Sequence, residues 1–259
     1  MGYETLFDLT GRVALVTGAS KGIGKAMAGA LAAHGATVIV SSRKIDQCEA
    51  AAAEINAACG ADRAHPIAGN AGRHDEMEAL VARTRSDHGP VDVLVGNAAV
   101  NPHYGPISEI PDSAYEKIMA TNVQSNLWLA RLVADDMIAK GAGSMMFTSS
   151  IGAFKASPTL GTYGMSKLAL IGLVRNLALE FGPKGIRANA ICPGLIRTDF
   201  AKALWTDPAA EKRVNEDTPL RRLGEPDDLA GVAVYLASDA SRYMTGQALT
   251  VCGGVSMWS

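Results

Sequence analysis

The sequence predicts an α/β protein built on a doubly wound parallel sheet with helices on both faces. Short runs rich in β-branched residues alternate with Ala-rich helical stretches, and a glycine-rich turn joins the first run to the first helix. Continuous apolar strands between amphipathic helices are typical of a parallel sheet that is buried on both faces. The right-handed crossover rule then favours the doubly wound arrangement.

The individual elements follow from the hydrophobic pattern. Clear strand patterns lie at 12–17, 37–41, 91–96, 144–149, 186–191 and 247–251. A weaker strand near 63–68 contains Pro66, which a sheet accommodates only at a strand edge or start. Helices are expected near 22–34, 44–58, 73–88, 113–139, 162–182 and 226–237.

One domain spanning 1–259 is the simplest organisation, because no linker, repeat or charge block divides the chain. The least regular stretch is 193–224, which contains several prolines and a mixed-charge segment. Long irregular inserts in compact domains are usually functional. We therefore expect a substrate lid at about 195–218.

Composition and charge exclude several classes of function. The formal net charge of −2 gives no basic excess that would indicate nucleic-acid binding. The cysteines are scattered and the histidines lack metal-ligand spacing, so we expect reduced thiols and no metal site. We find no signal-peptide pattern, no long uncharged apolar run, and no peroxisomal address in the last three residues. A cytoplasmic protein without a membrane span is expected.

The turn after the first strand has the features of a phosphate-binding loop. Its sequence over 17–24 is TGASKGIG, and a predicted helix starts at once. Glycines allow a tight turn and close backbone approach to a pyrophosphate, and the helix N-terminus offers free N–H groups to that anion. The spacing is not GxGxxG, but the position between a strand and a helix favours dinucleotide binding over an ordinary turn.

The end of the second strand predicts which dinucleotide binds. Proteins of this architecture that prefer NAD place an acid here to hold the ribose hydroxyls. This chain has Ser42 and Arg43 instead, with Lys21 nearby in the glycine loop. A guanidinium suits a 2′-phosphate, so NADP(H) is expected in preference to NAD(H), unless both cations are merely solvated.

Two features carry the predicted chemistry. Tyr163 and Lys167 lie four residues apart on a predicted helix and therefore share one face, and Ser150 follows the strand 144–149. A nearby ammonium lowers the pKa of a phenol, which makes Tyr163 a candidate general acid or base. The Ser150 hydroxyl is placed to stabilise charge on a carbonyl oxygen. The pattern predicts hydride transfer between a nicotinamide and a carbonyl or alcohol.

Two further sites are predicted at Asn122 and at the turn after the strand 186–191. Asn122 falls inside the helix 113–139, where asparagine is unfavourable, so it either marks a kink that holds a water next to Lys167 or simply faces solvent. Pro193 and Gly194 turn the chain after the strand 186–191. That turn would place 195–198 near the nicotinamide.

These residues together resemble the short-chain dehydrogenase/reductase family, in its branch of single-domain enzymes of about 250 residues with a Rossmann-like fold. The motifs cover nearly the whole chain: TGASKGIG at 17–24, NAA at 97–99, Asn122, Ser150, Tyr163 with Lys167, PG at 193–194, and Gly253-Gly254. The resemblance implies a catalytic tetrad of Asn122, Ser150, Tyr163 and Lys167. It implies cofactor contacts at Gly18, Ser20, Lys21, Ile23, Gly24, Asn97, Tyr163, Lys167, Ile196 and Thr198.

A narrower likeness links segments such as VIVSSRK and PGLIRTDF to the NADPH-dependent dicarbonyl and retinal reductase branch. The family's usual adenine-contacting acid corresponds here to Asn70, whose amide can also hydrogen-bond adenine. The resemblance further implies a homotetramer. Possible wall residues of the substrate pocket are His103, Tyr104, Met165 and Trp205.

Three alternatives stay open. A 3-oxoacyl-carrier-protein reductase shares the tetrad and would need a basic docking patch, to which Arg131, Lys155 and Arg175 could contribute. An NAD-dependent alcohol dehydrogenase would differ in cofactor preference. A non-catalytic redox sensor is disfavoured, because Tyr163 and Lys167 are both present.

Overall fold

The computed structural model describes residues 3–257, apart from the side chains of Ala203 and Ala210. Within this range lies one seven-stranded sheet, in which every neighbouring pair of strands is parallel and the order is β3-β2-β1-β4-β5-β6-β7. The predicted doubly wound parallel sheet is confirmed. Part of the terminal tripeptide considered above, Trp258 and Ser259, lies outside the described residues.

The strands are β1 Val13–Thr17, β2 Thr37–Ser41, β3 Ala64–Pro66, β4 Val93–Gly96, β5 Gly143–Thr148, β6 Ile186–Pro193 and β7 Ala248–Val251. The helices are α1 Gly22–Ala33, α2 Ile45–Cys59, α3 His74–His88, α4 Asp112–Met119, α5 Ser125–Lys140, α6 Gly161–Phe181, α7 Pro208–Asp217 and α8 Ala230–Ala237. Most bounds lie within two residues of those predicted, and Pro66 occupies the end of the short edge strand β3, as its missing N–H requires.

Two predicted elements need correction. The single helix expected over 113–139 consists of α4 and α5 joined by a π-helical turn, Ala120–Gln124, which contains Asn122. The stretch 193–224, expected to be irregular, contains α7. This helix starts with a favourable cap, because the Asp207 carboxylate accepts a hydrogen bond from the Ala209 N–H and Pro208 occupies the first helical position.

The sheet is buried on both faces, which explains the continuous apolar strands. Successive residues of β4 and β5 alternate between two hydrophobic clusters: Leu94 and Phe147 belong to one, and Val95 and Met146 to the other. All four are fully buried. The strand order reverses between β1 and β4, and in such sheets ligands bind at the carboxyl ends of the strands at this point.

Two further observations concern the described range as a whole. Residues 3–257 include no helix that is long and apolar enough to cross a bilayer. The same range contains no group of three or more His, Cys, Asp or Glu side chains arranged to hold a metal ion.

Candidate active site

A cleft of about 1430 Å³ opens at the carboxyl ends of the strands. Its volume exceeds the range of about 300–1,000 Å³ typical of small-ligand pockets, as a site for both a dinucleotide and a substrate requires. Every predicted site residue except Asn122 lines it: Gly18, Ser20, Lys21, Ile23, Gly24, Ser42, Arg43, Asn70, Asn97, Ser150, Tyr163, Lys167, Pro193, Gly194, Ile196 and Thr198.

The glycine loop is shaped to admit a pyrophosphate. Gly18 and Gly22 have φ values of 63° and 57°, in the left-handed region that favours glycine. A Cβ on Gly24 would overlap the Gly18 carbonyl, so a side chain there would close the turn. No side chain among the described residues caps the N-terminus of α1, which leaves its first N–H groups available to an anion. These features fit a bound dinucleotide.

Cations gather where the ribose end of a dinucleotide would lie. Arg43 and Lys44 line the cleft just after β2, and Arg43 forms no ion pair with any other described residue. Lys21 is instead paired with Asp199, with 2.9 Å between its Nζ and the carboxylate. Sequence reasoning missed Lys44, whose position beside Arg43 was its only signal.

Asn97 braces the ends of three strands. Its side-chain amide donates to the carbonyls of Thr17 and Gly18 at 3.1 and 3.2 Å, and its side-chain oxygen accepts from the Thr148 hydroxyl at 3.1 Å. Because these polar atoms are already paired, Asn97 contributes to the cleft mainly by fixing its floor. Asn70 also lines the cleft, with its side-chain oxygen accepting from the Gly72 N–H at 3.1 Å.

Tyr163 and Lys167 face the cleft together, one turn apart near the start of α6. The Lys167 Nζ lies 5.5 Å from the centroid of the Tyr163 ring and donates to the Thr148 carbonyl at 2.6 Å. The Ser149 hydroxyl donates to the Lys167 carbonyl at 2.8 Å and so ties this turn to the end of β5. Sequence reasoning missed Ser149, which sits one position before the predicted Ser150.

The expected lowering of the Tyr163 pKa is wrong for this structure. Although part of the side chain is exposed to the cleft, burial raises the pKa of the phenol above its ordinary value, and the Ser150 hydroxyl only partly offsets this. Burial also lowers the pKa of Lys167 to about 8. Desolvation disfavours the charged form of each group, the phenolate of Tyr163 and the ammonium of Lys167.

Ser150 stands at the end of β5 beside the phenol. Its side-chain oxygen accepts from the Gly152 N–H at 3.0 Å, which caps the short helical turn Ile151–Ala153. Because this bond uses a lone pair, the hydroxyl proton stays free to be donated. The residue can therefore donate a hydrogen bond into the cleft.

Asn122 does not reach the cleft. It is fully buried, so the alternative in which it faces solvent is wrong, and its side chain contacts Val100 and Ser166. The expected local departure from a regular α-helix is present as the π turn. Asn122 therefore supports the site indirectly, through its contacts with Val100 and Ser166.

The 195–218 segment borders the cleft next to Tyr163 of α6. The Phe200 ring lies 5.9 Å from the Tyr163 ring, and Arg197 joins Glu211 and Glu225 in ion pairs of 2.6 and 3.0 Å. Of the four suggested wall residues, Tyr104 lines the cleft. His103, Met165 and Trp205 do not, whereas Phe200, which sequence reasoning missed, does.

A dinucleotide-binding loop at the switch point of a parallel sheet, with a phenol and an amine beside it, defines a nicotinamide-dependent oxidoreductase. The family model described as "Enoyl-(Acyl carrier protein) reductase" matches residues 18–256. The "Dehydrogenase/reductase SDR family member 4" of Sus scrofa is 40% identical over 255 residues, 98% of this chain and 91% of that protein. The chain belongs to the short-chain dehydrogenase/reductase family.

Two solved structures resemble the protein closely. A 7α-hydroxysteroid dehydrogenase complexed with NADH and 7-oxo glycochenodeoxycholic acid superposes with a TM-score of 0.93 at 36% identity, over 98% of both chains. A gluconate 5-dehydrogenase from Burkholderia cenocepacia, in complex with NADP and tartrate, superposes with a TM-score of 0.92 at 30% identity, also over 98% of both chains. These two relatives hold different nicotinamide cofactors.

Proposed function

We propose that the protein is an NADP(H)-dependent carbonyl reductase or alcohol dehydrogenase, which moves hydride between the nicotinamide and a ketone, aldehyde or secondary alcohol. The observation that carries this proposal is the placement of Tyr163 and Lys167 beside Ser150, in the same cleft as the glycine loop. This arrangement supplies a proton and hydrogen-bond donors where a carbonyl would be reduced.

In this proposal each side chain has a distinct task. The nicotinamide, when bound, supplies or accepts the hydride. Ser150 donates a hydrogen bond to the carbonyl oxygen, and Tyr163 gives that oxygen a proton in reduction or removes one in oxidation. Lys167, held by the Thr148 carbonyl, supplies the positive charge that favours the phenolate against the effect of burial.

The preference for NADP(H) is supported by the charges at the end of β2. Arg43 and Lys44 line the cleft there, and neither forms an ion pair with another described residue. A 2′-phosphate would be paired by these cations, whereas the ribose of NAD(H) offers no charge to them. Ile196 and Thr198, which follow Pro193 and Gly194 and line the cleft, would hold the nicotinamide end.

We further propose that the 195–218 segment is a substrate lid within a single catalytic domain. It contributes Phe200 to the wall beside Tyr163 and contains α7. Arg197 forms one ion pair within the segment, with Glu211 of α7, and one with Glu225, which lies beyond the segment. A lid of this kind excludes water from the reacting atoms.

The test is a panel of diketones, aromatic ketones, small alcohols and an acetoacetyl thioester, assayed with NADPH and NADH. We expect NADPH oxidation with ketones or diketones, and a loss of about 10²–10⁴-fold in kcat for Tyr163→Phe. Tyr243→Phe, on a fully exposed side chain, is the matched control and should be unaffected. Turnover of the thioester alone would favour the carrier-protein alternative, and no turnover of any compound would refute the proposal.

A homotetramer in the cytoplasm is also proposed. Support for assembly comes from large apolar side chains exposed on the outer surfaces of α5 and α6, namely Leu127, Met165 and Leu168. Sedimentation equilibrium should give four times the mass of the chain, and a monomer would contradict the proposal.

A further inference from the structure

Ser166 is a fully buried residue of α6 that lies between Tyr163 and Lys167 in the sequence. Its hydroxyl donates to the Tyr163 carbonyl at 2.7 Å and accepts from the Asn122 side-chain amide at 3.0 Å. A carbonyl can only accept and an amide NH₂ can only donate, so the direction of both bonds is fixed. One hydroxyl therefore connects the catalytic turn of α6 to the π turn.

Asn122 extends this connection to the loop after β4. Its side-chain oxygen accepts from the Val100 N–H at 2.8 Å, and its NH₂ group donates to the Val100 carbonyl at 3.1 Å as well as to Ser166. Its own backbone carbonyl accepts from the Asn126 side chain at 2.8 Å. Each hydrogen of the Asn122 NH₂ group thus has one acceptor: the Val100 carbonyl for one and the Ser166 hydroxyl for the other.

We propose that Ser166 is a positioning residue for hydride transfer. Its hydrogen bonds to the Tyr163 carbonyl and to Asn122 hold the phenol in a fixed position relative to the loop after β4 that lines the cleft. The proposal rests on the proposed function, because it assigns Ser166 a role in that reaction. If the role of Ser166 were only to stabilise its own helix, its hydrogen bond to the Tyr163 carbonyl would be sufficient. The bond to Asn122 crosses between helices and, together with the bond to the Tyr163 carbonyl, connects the Tyr163 backbone to Val100, which lines the cleft.

Removing this hydroxyl would leave one hydrogen of the Asn122 amide without a partner in a fully buried place. Unpaired buried donors are costly, so the π turn or α6 would shift to relieve the strain. Tyr163 would then move relative to Ser150, and displacements of about 1 Å near reacting groups reduce rates by about 100-fold. The loss falls on kcat, since neither Ser166 nor Asn122 touches the cleft.

The experiment compares Ser166→Ala and Ser166→Thr, which keeps the hydroxyl, with Ser144→Ala as control. Ser144 is also a buried serine and lies at the start of β5, away from the carboxyl end that borders the cleft. Its hydroxyl donates to the Leu236 carbonyl at 2.7 Å. For Ser166→Ala we expect kcat to fall about 10- to 100-fold. The KM for the cofactor and the KM for the carbonyl or alcohol substrate should stay within about threefold of wild type. Ser166→Thr and Ser144→Ala should keep kcat within about threefold.

The pH profile of alcohol oxidation separates positioning from simple loss of stability. Among the described residues, those that face the Tyr163 ring include Ser150, Lys167 and Phe200, and of these the Ser150 hydroxyl lowers the pKa of the phenol. Moving the phenol away from Ser150 should therefore shift the apparent pKa of the profile upward in Ser166→Ala. A variant that is only less stable would keep the wild-type profile.

A double-variant cycle provides the second readout. In an Asn122→Ala background the orphaned amide does not exist, so adding Ser166→Ala should change kcat by less than about threefold. Should Ser166→Ala fold poorly, Ser166→Cys takes its place, with a smaller decrease in kcat and the same direction of the pH shift. A wild-type kcat and pH profile in folded Ser166→Ala or Ser166→Cys would overturn the positioning role, whereas an inactive wild type would refute the proposed function itself.

Discussion

Lys21 of the glycine loop and Asp199 of the 195–218 segment form a 2.9 Å ion pair that joins two sides of the cleft. Their side chains are 66% and 69% exposed, so solvent screens the attraction. Lys21 is also one of the cations expected to meet a 2′-phosphate. A cofactor that carries this phosphate must compete with Asp199 for the ammonium, whereas NAD(H) does not compete.

Replacing Asp199 by asparagine should therefore strengthen NADPH binding selectively. Because exposed ion pairs are weak, we expect the Kd for NADPH to fall only about two- to fivefold, with the Kd for NADH unchanged. Fluorescence titration of both cofactors measures this. Asp217→Asn, on an exposed residue of α7, is the control and should alter neither Kd. Equal changes for NADPH and NADH would show that the ion pair acts on the segment rather than on the phosphate.

Arg43 should determine most of the discrimination between the two cofactors. Arg43→Ala removes the attraction to the 2′-phosphate, and Arg43→Asp adds a repulsive charge in the same place. We expect the ratio of kcat/KM for NADPH over NADH to fall about tenfold in the first variant and at least about 100-fold in the second. A ratio that stays at the wild-type value in both would show that the assignment of Arg43 is wrong.

Much of the fold could be predicted because its signals are local. Apolar runs gave six strands, and the glycines at 18, 22 and 24 marked the loop before α1. The four-residue spacing of Tyr163 and Lys167 places both on one helix face wherever that helix packs. Even α7, which was missed, has a local helix-start signal in Asp207-Pro208.

The contacts that tune the site could not be predicted, because they join distant parts of the chain. Asn122 and Ser166 are 44 residues apart, and Lys21 and Asp199 are 178 apart. No periodic pattern links such positions. The pKa of Tyr163 likewise depends on how closely the surrounding side chains pack, which is why the expected direction of its shift was wrong.

The buried ammonium of Lys167 should make stability depend on pH. Burial lowers its pKa to about 8, whereas in the unfolded chain a lysine titrates near its ordinary value of about 10.4. Between these values the unfolded state binds more protons, so the free energy of unfolding rises with pH there. Below pH 8 both states are protonated, and the cost of the buried charge is fully present.

We therefore expect the free energy of unfolding of the wild type, relative to Lys167→Met, to rise by about 2–3 kcal/mol from about pH 7 to pH 10.5. Urea unfolding of the cofactor-free protein measures it at several pH values. The same comparison with Lys155→Met, where the lysine is exposed, is the control for the loss of a positive charge that is not buried. A difference for Lys167 that does not vary with pH would mean that its ammonium is not desolvated in the folded protein.

Phe200 should affect both the KM for the substrate and the pKa of the Tyr163 phenol. Its ring lies 5.9 Å from the Tyr163 ring at an interplanar angle of 42°, and the side chain is 55% exposed, so it shields Tyr163 while leaving a face open to the cleft. Phe200→Ala should raise KM for aromatic ketones about three- to tenfold, the range expected for losing one aromatic contact. It should raise KM less for small diketones, which cannot span the distance to this ring.

The same variant tests the origin of the raised phenol pKa. Since burial is the main cause of that shift, admitting water beside Tyr163 should lower the apparent pKa of alcohol oxidation, in the direction opposite to Ser166→Ala. Phe7→Ala, on another half-exposed phenylalanine near the N-terminus, should change neither KM nor the pH profile. A higher KM with an unchanged pH profile would mean that Phe200 contacts the substrate only, and that the phenol is desolvated by the α6 side of the cleft.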